Sequence, residues 1–96
     1  MPKKYKKMPV VIEAVQFTRQ NIKKLELFTG GKLTNVTIPR CVDGVMTAEI
    51  PTLEGVHIVT ENDFVIRGVA GEFYPCKPHV FHKTYEPEVK EVLGDE

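Results

Sequence analysis

The sequence predicts an α+β domain: an antiparallel sheet of about five or six strands, one helix packed against it, and a short C-terminal helix. Three observations carry that prediction. Short β-branched and aromatic runs recur between Gly, Pro and Asn/Asp turn signals from Lys32 to Tyr74. Ile22, Leu25 and Phe28 fall at helical spacing, with Lys23, Lys24 and Glu26 on other faces. The 96 residues suffice for one domain with one small core. Strands so closely spaced can also curl into a partial barrel. The expected organisation is a basic lead-in over residues 1–8, a single domain over 9–86 and an acidic tail over 87–96.

Pro9 opens the run Val10-Val11-Ile12-Glu13-Ala14-Val15-Gln16-Phe17, which reads as a strand covered on both faces. Glu13 and Gln16 are its polar exceptions, and each needs a partner, since a buried unpaired polar group costs about 1–3 kcal/mol. Thr18 is the expected N-cap of the helix, and Gly30-Gly31 its end. Lys32 to Ile38 is the next strand, with Pro39 at a bend. Asp43-Gly44 signals a two-residue hairpin between Arg40-Cys41 and Val45-Met46. Val45 to Ile50 is a strand stopped by Pro51, and Gly55 to Val59 another. Glu61-Asn62-Asp63 turns the chain into Phe64–Arg67, and Gly68–Gly71 makes a hairpin loop to Glu72-Phe73-Tyr74. Pro78 sits at the first position of a short helix through Tyr85.

Composition excludes several functions. Thirteen Lys and Arg balance thirteen Asp and Glu, so the positive excess of a general nucleic-acid binder is missing. No serine is present, which excludes a serine nucleophile. No run approaches the ~18 apolar residues of a membrane span, and no signal-peptide run follows the basic start. The expectation is a cytosolic protein without a membrane partner, in which Cys41 and Cys76 are buried thiols rather than a disulfide. The neutral total hides an asymmetry. Residues 1–40 hold nine Lys and Arg against Glu13 and Glu26, and residues 41–96 hold four against eleven acids. Pairing across the fold, or between subunits of a homo-oligomer, is the simpler account; a basic face meeting an anion is the sharper one.

The most distinctive stretch is Ile66-Arg67-Gly68-Val69-Ala70-Gly71-Glu72-Phe73-Tyr74-Pro75-Cys76-Lys77-Pro78, followed by Phe81 and Thr84-Tyr85-Glu86. Together with Pro9 to Phe17 it resembles a family of small phage and prophage proteins. Asn62-Asp63-Phe64 stands where that family commonly has Gly-Asp-Tyr, and His79 and His82 occupy positions often acidic there. The resemblance implies a phage or prophage origin and no settled enzymatic activity.

Arg67, Tyr74 and Lys77, with Gln16 from the opening strand, form the candidate ligand-binding set. Arg offers a planar fork of donors, Lys a point charge and Tyr a ring face, which suits a phosphate plus a base. The competing account gives the cations to Glu72 and half-buries the tyrosine. Cys76, His79 and His82 have ligand types at spacings of three, but histidines on the surface beside a buried thiol are simpler, so no metal or cofactor is expected. A Cys76–His79 catalytic pair lacks an orienting third group. Glu13 and Glu72 are acid/base candidates whose simpler role is pairing with Arg67 or Lys77. Gly68 to Gly71 lacks the Lys-Ser/Thr end of a phosphate loop, and Phe81 and Tyr85, one helical turn apart, are expected to dock on the core.

The resulting expectation is a non-enzymatic binding protein that holds an anionic, nucleotide-like small molecule, by analogy with phage proteins that sequester immune signals against host defence. The alternatives are a protein-interaction inhibitor of a host enzyme and a small metal-dependent hydrolase.

Overall fold

The computed structural model describes residues 2–6, 9–41 and 43–87. In chain order the elements are β1 (Glu13–Gln16), α1 (Ile22–Phe28), β2 (Thr34–Thr37), β3 (Thr47–Thr52), β4 (Gly55–Thr60), β5 (Phe64–Arg67), β6 (Phe73–Cys76) and α2 (Pro78–Thr84). The α+β class holds. The six strands do not share one sheet or close into a barrel: they form two separate three-stranded antiparallel sheets, β1-β5-β6 and β2-β3-β4.

The reason lies in the turn Glu61–Asp63. It spends its backbone on other parts of the chain instead of pairing β4 with β5. Glu61 N–H donates to the Met46 carbonyl (2.8 Å), Asn62 N–H to Phe17 O (2.7 Å), and Phe17 N–H returns a bond to Asp63 O (2.7 Å). The chain therefore steps from one layer to the other. Asn62 takes φ +80°, a conformation in which Asn is tolerated and Gly is at ease. The buried Asp63 carboxylate accepts the Thr60 N–H at 2.9 Å and braces the turn from inside.

The core lies between the layers. Phe17, Leu25, Leu33, Met46, Ala48, Ile50, Val59, Val65 and Phe73 form one buried cluster, with Val15, Ile22, Phe28 and Val36 against it. The helical spacing read from the sequence gives α1 this inward face, while Leu27 points to solvent. Asn21, not Thr18, precedes the helix, and no side chain caps it. Gly30 and Gly31, both at positive φ, turn the chain out of it. Buried Thr29 links helix end to strand start, its hydroxyl donating to Glu26 O (3.3 Å) and accepting from Leu33 N (3.2 Å).

Four local expectations are corrected. The opening strand starts at Glu13, not Val10, because its partner β5 ends where Arg67 pairs with Glu13; Val10 and Val11 are left exposed. Asp43-Gly44 belongs to a turn in which Gly44 N–H meets Cys41 O (3.1 Å), but it closes no two-residue hairpin: the β2–β3 connection runs over residues 38–46. Pro51 lies inside β3, beyond the Thr34↔Glu49 register pair, where β3 keeps a neighbour on one flank alone and a missing N–H is tolerated. Cys41 is exposed rather than buried, and Cys76 is partly covered; both are free thiols. Residues 88–96 of the acidic tail lie outside the described residues. Among the described residues no helix is long and apolar enough to cross a membrane.

Candidate functional site

Strand register decides which side chains of the first sheet share a face. Glu13, Arg67 and Phe73 lie side by side, as do Val15, Val65 and Pro75, on the face from which Val65 and Phe73 enter the core. The other parity puts Ala14, Ile66 and Tyr74 together on the outer face, beside Gln16, Phe64 and Cys76. Ile66 is 1% exposed yet lies outside the central cluster, so this outer face has its own apolar centre.

That centre is covered by α2. Pro78 at the first position fixes the helix start, and Phe81 and Tyr85 then lie one turn apart facing the sheet. Phe81 stacks on Phe64 with centroids 3.9 Å apart and planes 7° off parallel; Tyr85 follows at 5.2 Å from Phe81. His82 meets both phenylalanine rings edge-on at 5.4 and 5.7 Å. The expected docking of Phe81 and Tyr85 is therefore onto the sheet's outer face, not onto the central core.

The helix covers this face incompletely. Residues 9–12 lie against it without joining the sheet, and between them and α2 lies a trough of two lobes. One lobe, ≈ 470 Å³, is walled by Val10, Val11, Ile12, Phe64, Phe81 and His82; the other, ≈ 520 Å³, by Val10, Ile12, Val69, Glu72 and Tyr74; Tyr85 and Glu86 border both. Each lobe falls within the roughly 300–1,000 Å³ of small-ligand pockets. Among the described residues no Lys or Arg lines either lobe; the charged side chains there are Glu72 and Glu86.

The trough's polar groups are held still. Burial pushes the Tyr74 hydroxyl up to about 12, helped by its hydrogen bond with Tyr85 and by the Glu72 charge, so it remains a neutral phenol at physiological pH. The Glu72 carboxylate accepts the Ala70 N–H at 3.0 Å and folds back over Gly68, where an added Cβ would run into it.

The predicted ligand set is not brought together. Tyr74 lies on the outer face, Arg67 on the inner. Arg67 pairs with Glu13 and sits 5.0 Å from the Phe28 ring centre. Lys77 lies at the other end of the hairpin and pairs with Asp63 at 3.3 Å. Gln16 donates to Asn62 O at 2.9 Å. Each cation thus has a carboxylate of the chain's own, and the Glu13–Arg67 pairing weighed in the sequence is realised. Glu13 and Glu72 stand apart: one on Arg67, the other on the Gly68 loop. Among the described residues no three His, Cys, Asp or Glu side chains converge as a metal site. Burial, then the Asp63 charge, raises the Cys76 thiol, which disfavours the nucleophilic thiolate.

The sequence reading missed the trough. Its one signal was the run Val10-Val11-Ile12, apolar at both parities and therefore in need of a neighbour. Comparison with protein-family models, with curated proteins and with solved structures finds no match for this chain.

Proposed function

We propose that the chain is a non-enzymatic protein-interaction module whose trough takes an apolar, neutral-to-basic segment of a partner protein. One observation carries this reading: the trough is walled by valine, isoleucine and aromatic side chains, and among the described residues its charges are the carboxylates of Glu72 and Glu86. An anionic ligand there would meet like charge. Arg67 and Lys77, the cations first expected to receive it, would have to release Glu13 and Asp63. A phage or prophage origin, as the resemblance implies, would make a host protein the natural partner.

Backbone NMR titration tests the proposal with three probes: a short peptide alternating Leu or Phe with Lys, the same peptide with Glu for Lys, and a set of mono- and cyclic nucleotides. The first is expected to shift Val10, Val69 and Tyr85, and Val10→Lys to weaken it by about tenfold or more. Nucleotide-induced shifts at Arg67 and Lys77 would restore the anion-binding reading. Equal binding of both peptides, or of neither, rejects the trough as the site.

A further inference from the structure

The two sheets have four outer strands between them: β1 and β6 in one, β2 and β4 in the other. An outer strand presents unpaired N–H and C=O groups that template a further strand, and proteins blunt such edges. Three of the four are blunted here. β1 has four residues, begins with a charged Glu13, and has its Gln16 carbonyl covered by the Asn21 side-chain amide at 3.2 Å. β6 carries Pro75 in its middle. β2 is broken by a register shift between Thr34 and Thr37, with Asn35 at φ +54°.

β4 has none of these devices. It reads Gly55-Val56-His57-Ile58-Val59-Thr60, with no proline, lysine or acid, and pairs with β3 over its full length without a shift. Among the described residues no backbone hydrogen bond from outside its sheet reaches residues 55–59. Its outward-facing side chains are apolar and open: Val56 is 65% exposed and Ile58 57%.

We infer that β4 pairs antiparallel with β4 of a second copy of this chain, joining the two β2-β3-β4 sheets into one continuous sheet across a two-fold axis. The strand complements itself. With His57 on the axis, Val56 of each copy lies opposite Ile58 of the other, a β-branched cross-strand pair made twice on one face, and no two side chains of fixed like charge are opposed. The pairing is isologous, so it uses up both free edges. The edge then left at each end of the joined sheet is β2, whose shift and left-handed Asn35 stop further growth. Assembly ends at two copies instead of a fibre. The trough on the other sheet stays open, so this inference stands independently of the proposed function.

Sedimentation equilibrium of the full chain, from about 1 μM to 1 mM, combined with amide hydrogen exchange, tests it. The wild-type chain is expected to reach twice its 10.9 kDa mass. Alternate β4 amides that face away from β3 should then exchange more slowly at the higher concentrations. Ile58→Lys, which puts a charge on an already exposed position, should return the monomer mass and release those amides; Val56→Lys serves the same purpose should the first variant not fold. A wild-type monomer throughout the range overturns the inference. So does a dimer whose β4 amides stay unprotected, or one that survives both lysine variants.

Discussion

The two sheets have the same number of strands and meet across the same core, yet their outer faces are treated in opposite ways. The β1-β5-β6 sheet is apolar on both sides: Val65 and Phe73 point inward, Ile66 and Phe64 outward, and α2 lies over the second pair. The β2-β3-β4 sheet has Thr47, Glu49, Pro51, Val56 and Ile58 on its outer side, and among the described residues no helix or strand lies above them. A strand apolar on both faces, as Phe64-Val65-Ile66 is, demands two covering layers. The C-terminal helix follows from the composition of β5 more than from its own helical propensity.

That contrast can be broken most severely at Ile66. Truncation by Ile66→Ala should cost about 2–5 kcal/mol in denaturant unfolding, as a core deletion does. Ile58→Ala, on the open face of the other sheet, should cost well under that, about 0.5 kcal/mol or less in a monomer-forming background. Similar losses at the two positions would mean that the helix-covered face contributes no second core.

A smaller effect is expected at the junction between the layers. Asp63→Ala leaves the Thr60 amide and Lys77 without their acceptor, for a loss of about 1–3 kcal/mol by thermal or chemical unfolding. Asp63→Asn should lose less, since an amide oxygen still accepts from the Thr60 amide.

Extremes of pH separate the regions further, at opposite ends of the scale. Tyr74 on the outer face has its folded pKa raised from 10.0 to about 12. Its contribution is therefore complete below 10 and is lost as pH rises from 10 toward 12. Glu61 at the junction is held below its ordinary 4.5, first by the Met46 N–H (3.1 Å) and then by Arg19, whose guanidinium grips both carboxylate oxygens at 3.1 and 3.2 Å. Its contribution is present above 4.5 and disappears as pH falls through the depressed folded value. Tyr74→Phe should flatten the alkaline limb of a stability–pH profile and Glu61→Gln the acid limb; exchanged effects would misassign both groups.

Much of the secondary structure was legible because its boundaries carry strong local chemistry. Phe64–Arg67 was read residue for residue, being fenced by an Asn-Asp turn and a Gly loop. The helix face Ile22, Leu25 and Phe28 and the Pro78 helix start were equally plain. Division into two layers was not legible. It depends on the hydrogen bonds that Glu61–Asp63 makes with Phe17 and Met46, groups far away in the chain. The candidate set Arg67, Tyr74 and Lys77 is held apart for a related reason. A hairpin brings residues near each other, but strand register assigns their faces, and Ile66↔Tyr74 pairing sends Tyr74 away from Arg67. The trough escaped because Val10-Val11-Ile12 has the composition of a strand while its partner strand runs out at Arg67.

The turn Glu61–Asp63 also sets where the chain accepts rearrangement. Among the described residues, six outside it, Gln16, Phe17, Arg19, Met46, Thr60 and Lys77, are tied to its backbone or its acids. A cut or a tag placed there would unfasten both layers at once. Among the described residues, the exposed tip Leu53-Glu54 is hydrogen-bonded only through the Glu54 amide to the neighbouring Thr52 hydroxyl at 3.0 Å, so new termini made by circular permutation, or an inserted epitope, belong at that tip.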